Sequence, residues 1–145
     1  MMRNMARHDA YLDHLGKVKL FSSCTRKELQ TIAKASDELT VKAGTLLVDQ
    51  GQAGTQTFVI LEGTATVKRN GRKIATLGPG SPVGELSLLD HGPRTASVTA
   101  DSDMKVLVLA QRQFSALIAE VPSIASKMLA ILAGRVRELD RANFG

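Results

Sequence analysis

Apolar positions along this chain change period twice. Between residues 9 and 36 they recur at helical spacing. Leu12 and Leu15 share one face of a predicted helix over 9–19, and Leu29, Ile32 and Ala33 share a face of a second over 26–36. Thr25-Arg26-Lys27-Glu28 has the form of a capping box, in which a threonine and a glutamate three residues on satisfy each other's backbone N–H groups. From Glu38 to Ala110 the pattern turns to short β-branched runs cut by glycine-bearing turns. The predicted strands are 38–42, 45–49, 56–62, 64–69, 72–77, 95–100 and 104–109, with a shorter piece near 83. Helical spacing returns at Gln111, where Phe114, Leu117 and Ile118 share a face. Pro122 restricts Val121, so one helix ends there and a last one runs over 122–142. In it Ala125, Leu129, Leu132, Val136 and Leu139 follow spacings of four, three, four and three, the seam of a short coiled coil. Gly134 interrupts it at about 1 kcal/mol relative to alanine.

About eight short strands between helical ends indicate a sandwich or barrel, and 145 residues suit one domain. A hydrophobic fraction of 43% argues against disorder, and 3% aromatics with no tryptophan predicts an aliphatic core. The net charge of +5 raises the question of nucleic acid. The densest cationic group, Lys68-Arg69-Asn70-Gly71-Arg72-Lys73, brackets an Asn-Gly hairpin turn and reads as a solvated tip, so no direct nucleic-acid binding is expected. No apolar run has the length of a membrane span, and residues 1–10 carry Arg3 and Arg7 with no apolar signal segment. With the single Cys24, this predicts a cytoplasmic protein.

Catalytic signals are weak. His8, His14 and His91 form no convincing metal set with each other or with Cys24. Gly78-Pro79-Gly80 lacks the third glycine and the strand–helix setting of a dinucleotide loop, and no G-x-S-x-G or Walker A motif is present. The chain is expected not to be an enzyme, and to need neither metal nor cofactor.

The segment Val83–Val98 carries the chemistry. Gly84 lets the backbone approach a ligand, and residues 86–89 suit one helical turn whose N–H groups would face an anion. Arg94 offers a planar fork of donors for phosphate oxygens. Glu85, nine residues earlier, only accepts when ionised, and would welcome a hydroxyl while repelling phosphate. Both charges together suit a compact sugar-phosphate. Each residue also has a plainer role: Arg94 as a surface arginine at a strand start, Glu85 as its salt-bridge partner.

Gly84-Glu85-Leu86, the loop to Pro93, and Arg94-Thr95-Ala96-Ser97-Val98 resemble the phosphate-binding cassette of the cyclic-nucleotide-binding domain family. The likeness extends from about Val18 to Asp140. It implies a mainly β fold with flanking helices: an eight-stranded β-roll (a double-stranded β-helix, jelly-roll-like) over 38–110, N-terminal helices over 8–36 and two C-terminal helices over 111–142, in a single domain over 1–145. It also implies a cyclic nucleotide ligand, cAMP ahead of cGMP, held by Gly84, Glu85, Leu86, Ser87, Arg94, Thr95 and Ala96. Glu85 would take the ribose 2′-hydroxyl, and the Leu86, Ser87 and Ala96 backbones would donate to phosphate or ribose. Thr95 would meet phosphate or a guanine amino group. Val67 and Ile74 match pocket-wall positions beside the base, and Arg135 and Leu139 match the part of the final helix that covers the purine. The chain departs from the family before the cassette, where Ser81-Pro82-Val83 replaces an aspartate followed by aromatics. The implied role is a sensor or regulatory module with a helical lid, and the apolar seam of the last helix points to a homodimer through it. The alternatives are a regulatory piece of a transcription factor or fused enzyme, and a dimerising scaffold that binds no nucleotide.

Overall fold

A computed structural model describes the backbone of residues 2–90 and 92–144 and the side chains of residues 10–90 and 92–143. Two helices come first, α1 (Met2–Lys17) and α2 (Arg26–Ala35), with a 3-10 turn at Lys19–Phe21 between them. Helix α1 starts ahead of the residue-8 boundary, because Met2 to Ala6 contain no proline or glycine to stop it. The capping box before α2 forms as read: Thr25 accepts from the Glu28 N–H, and the Glu28 carboxylate accepts from the Thr25 N–H at 2.8 Å.

Eight strands follow: β1 (Asp37–Val41), β2 (Leu46–Val48), β3 (Gln56–Glu62), β4 (Ala65–Arg69), β5 (Arg72–Leu77), β6 (Pro82–Val83), β7 (Ser97–Ala100) and β8 (Met104–Ala110). They form two antiparallel four-stranded sheets in the orders β1-β8-β3-β6 and β2-β7-β4-β5. With the flanking helices this is the expected β-roll. The hairpin of β4 and β5 turns on Asn70 (φ 54°) and Gly71 (φ 78°), the positive-φ pair that a two-residue loop requires. Strand β7 begins at Ser97, not at residue 95, so Thr95 and Ala96 lie in the loop that leads into it.

The side-chain alternation of β3 and β8 sorts the core into two layers. Phe58, Ile60, Val106 and Val108 fill the inside of the roll with Val41, Val67, Val98 and Met104. Val59, Leu61, Leu107 and Leu109 point the other way, onto Leu12, Leu15, Phe21, Ile32 and Phe114 of the helical layer. Strands buried on both faces read as continuous apolar runs, which is how 56–62 and 104–109 look in the sequence. The C-terminal helices are α3 (Gln111–Glu120) and α4 (Pro122–Phe144), and they divide at Pro122 as expected. Ile124 and Met128 fix α4 to the helical layer. No single helix among the described residues is long and apolar enough to cross a membrane.

Candidate functional site

The cassette closes over one end of the roll. Gly84 takes the left-handed conformation (φ 70°, ψ 43°), and Glu85–Leu88 follows as a single 3-10 turn. Gly84 is held from β3: the Thr57 hydroxyl, 1% exposed, donates to its carbonyl at 2.7 Å. A side chain is excluded at Gly84 by more than its φ, because a Cβ there would overlap Nη1 of Arg94. The same holds at buried Gly54, where a Cβ would meet the Ser87 hydroxyl and stand 2.7 Å from Arg94 Nε. Two glycines thus form the slot through which the arginine reaches the cassette.

In that slot Arg94 Nη1 donates to the Ser87 hydroxyl at 2.8 Å and Nη2 to the Gln56 carbonyl at 2.6 Å. Among the described residues two of its five N–H donors are engaged, and the others remain for an anion. Burial lowers the Arg94 pKa from its ordinary value, yet a guanidinium stays charged at any physiological pH. Glu85 does not pair with Arg94. Its Oε1 accepts from Arg135 Nη2 of α4 at 3.2 Å, while its Oε2 is buried with no hydrogen-bond partner among the described residues. A buried carboxylate oxygen left unmatched is costly, about 1–3 kcal/mol or more, unless a ligand supplies the donor.

Between these groups lies a cavity of about 450 Å³, within the range of small-molecule sites. One side is apolar, with Val48, Val67, Leu77 and Val98. The other carries Gly84, Glu85, Leu86, Ser87, Arg94, Thr95 and Ala96. All seven cassette residues expected from the sequence therefore line one pocket, and so does Val67. The Ser87 amide is a correction: it donates to the Gly84 carbonyl at 3.0 Å, and the residue meets Arg94 through its hydroxyl instead.

Two further expectations fail. Ile74 does not line the pocket. A bulge pairs Val67 with Ala75 and Lys68 with Lys73, so Ile74 is the extra residue of edge strand β5 and is 49% exposed. Leu139 does not cover the pocket either. It is 64% exposed, because the contacts that hold α4 to the helical core end at Leu132, about two turns before it. From α4 it is Arg135 that reaches the site, through Glu85. His91, weighed as a metal ligand, lies outside the described residues.

The structure also adds residues. Arg69, read as part of a solvated hairpin tip, lines the pocket, with its Nε donating to the Thr95 carbonyl at 3.0 Å. Gly54, Gln56 and Thr57 support the cassette from β3 and the loop before it. In the sequence Thr57 looks like any β-former and Gly54 like any turn residue, so neither carried a signal.

Comparison with known proteins points the same way. The family profile described as the cyclic nucleotide-binding domain matches residues 38–121. The cyclic AMP receptor protein of Thermus thermophilus is 38% identical over 96 residues, covering 63% of this chain and 44% of that protein. The cAMP-dependent protein kinase regulatory subunit of Hypocrea atroviridis is 30% identical over 142 residues, covering 97% of this chain and 30% of that one. The chain thus spans less than half the length of these curated relatives. Among solved structures, the N-terminal domain of a transcriptional regulator from Streptomyces coelicolor superposes with a TM-score of 0.83 at 30% identity, covering 89% of this chain and 96% of that one. The regulatory domain of Toxoplasma gondii PKA, crystallised with cAMP, superposes with a TM-score of 0.70 at 29% identity, covering 77% of this chain and 44% of that one.

Proposed function

As this chain belongs to the cyclic nucleotide-binding domain family, we propose that it binds cAMP as a sensor or regulatory module, with α4 as the element that responds. The observation that carries this is the pair of unmet demands across one cavity. Glu85 Oε2 lacks a donor and Arg94 has donors to spare. A 3′,5′-cyclic phosphate fused to a ribose answers both at once, its anion at Arg94 and its 2′-hydroxyl at Glu85. The apolar side at Val67 and Val98 takes the base. The two relatives named for cAMP favour adenine over guanine as that base.

Arg135 supplies the link to α4. Ribose arriving at Glu85 changes the partner of a side chain anchored on that helix, so the ligand bears differently on the two positions of α4. A difference of this kind is what shifts a pre-existing equilibrium. The relatives' names point to transcriptional and kinase regulation as the output, and either would read out the same helix.

The test is calorimetry on Arg94→Ala. Loss of a charge-assisted contact of about 1.5–3 kcal/mol should weaken cAMP at least tenfold while the circular dichroism and melting curve stay close to wild type. Unchanged affinity would sink the assignment. Titrating cGMP beside cAMP ranks the two ligands, and cAMP should bind more tightly.

A further inference from the structure

Ser87 stands where the cassette turn meets Arg94, and it is almost sealed from solvent. The residue is 6% exposed and lines the cavity. Its hydroxyl accepts from Arg94 Nη1 at 2.8 Å. A hydroxyl also has a proton to donate, and among the described residues this one meets no acceptor. A buried donor without an acceptor is costly, as the unmatched oxygen of Glu85 is. The bond from the guanidinium also polarises the Ser87 oxygen, which makes its O–H a stronger donor. The missing partner is therefore an acceptor beside a cation, and a non-bridging phosphate oxygen has that chemistry.

The same oxygen fixes the arginine. Ser87 Oγ holds Nη1 from the 3-10 turn, and the Gln56 carbonyl holds Nη2 from the start of β3. Two acceptors on different segments thus set the plane of the guanidinium. The slot around them is tight, since a Cβ at Gly54 would overlap Ser87 Oγ and crowd Arg94 Nε. An arginine free to change rotamer gives up that freedom when it meets an anion, and one already held does not. The backbone of the turn cannot take over the donor role at this residue, because the Ser87 N–H is spent on the Gly84 carbonyl at 3.0 Å.

We propose that the Ser87 side chain has two roles: its hydroxyl fixes Arg94 before the ligand arrives, and then donates to a non-bridging oxygen of the cyclic phosphate beside the one at Arg94. The phosphate contact, though not the positioning, rests on the functional reading above. Accepting from Arg94 and donating to phosphate use different parts of the hydroxyl, so the two bonds coexist and each strengthens the other.

Deleting one oxygen, in Ser87→Ala, tests both roles. In ligand-free protein the Arg94 Nε–H should show a heteronuclear NOE close to that of the backbone amides in wild type and a clearly lower one in the variant. Equal values overturn the positioning. Calorimetry with cAMP tests the contact: Ser87→Ala should bind at least tenfold more weakly, and unchanged affinity overturns the contact. 2′-Deoxy-cAMP should fall below cAMP by the same factor on Ser87→Ala as on wild type, because Glu85 is untouched. A variant that no longer distinguishes the two ligands would show a deformed cassette, and would overturn the phosphate role in favour of a structural one. A wild type that binds no cAMP would overturn the functional reading and the phosphate contact with it, while the NOE comparison, which needs no nucleotide, still decides the positioning.

Discussion

Two glutamates lie within reach of α4, and the fold treats them in opposite ways. Glu28, in the helical layer, is 7% exposed and fully provided for: the Thr25 N–H, the Ser123 hydroxyl and the Lys127 ammonium all donate to it. Burial alone would raise its pKa, but the bonds from Lys127, Ser123 and Thr25 outweigh this and hold it at about 2 against an ordinary 4.5. Glu85, in the cassette, is also mostly buried, yet it has one partner at 3.2 Å and one oxygen with none. The difference separates a carboxylate that completes a structure from one that awaits a ligand. Burial alone does not mark a site; a buried polar atom left unanswered does.

Breaking the first carboxylate should have the largest effect, and on stability. Glu28→Ala removes the staple between α2 and the first turn of α4 and strands Lys127. It should lower stability by about 2–3 kcal/mol, read by chemical denaturation, with cAMP affinity within about twofold of wild type. The pH dependence follows the same bond. A carboxyl with a lower pKa in the folded than in the unfolded state stabilises fully above the unfolded value. That contribution is present above about pH 4.5 and drains away as pH falls toward 2. Denaturation midpoints across this window should fall steeply for wild type and more gently for Glu28→Gln. Parallel slopes would show that Glu28 is not held as described.

The second carboxylate should show the converse. Glu85→Gln keeps the shape and loses the charge. It should weaken cAMP about tenfold while changing stability by less than about 1 kcal/mol, since the Arg135 pair it loses is partly solvated. 2′-Deoxy-cAMP should reproduce the loss on wild type and add nothing on the variant. Full affinity for the deoxy ligand would remove the ribose role from Glu85.

Around both carboxylates part of the structure was legible in the sequence and part was not, for one physical reason. Information that is local in the chain can be read from the chain. The capping box spans four residues and the cassette fifteen, so both appeared as contiguous patterns, and seven cassette residues proved to line one pocket. Interactions between distant segments left no such trace. The need for glycine at position 54 appears only when Arg94, forty residues on, passes beside it. Arg69 looked like one charge among several at a hairpin tip until its bond to Thr95 turned it toward the cavity. A bulge displaced Ile74, because a one-residue slip in register changes what a strand side chain faces. On α4, family likeness places Leu139 over the purine, but the helix leaves the core after Leu132 and Leu139 is exposed outside the pocket lining.

The smallest effect asks whether the two regions are independent at all, since α4 joins them: Lys127 binds Glu28, and Arg135, about two turns on, binds Glu85. Thr25→Ala deletes the cap acceptor for the Glu28 N–H and should cost about 1 kcal/mol, with Thr25→Ser restoring most of it. If the helical layer only anchors α4, cAMP affinity should be unchanged in Thr25→Ala, and its stability loss should be smaller in a Glu28→Ala background, because the two residues form one network. A fall in affinity of threefold or more that Thr25→Ser repairs would mean that the position of α4, set at its first turn, is felt at Glu85. The contrast between the two carboxylates would then describe two ends of one coupled lever.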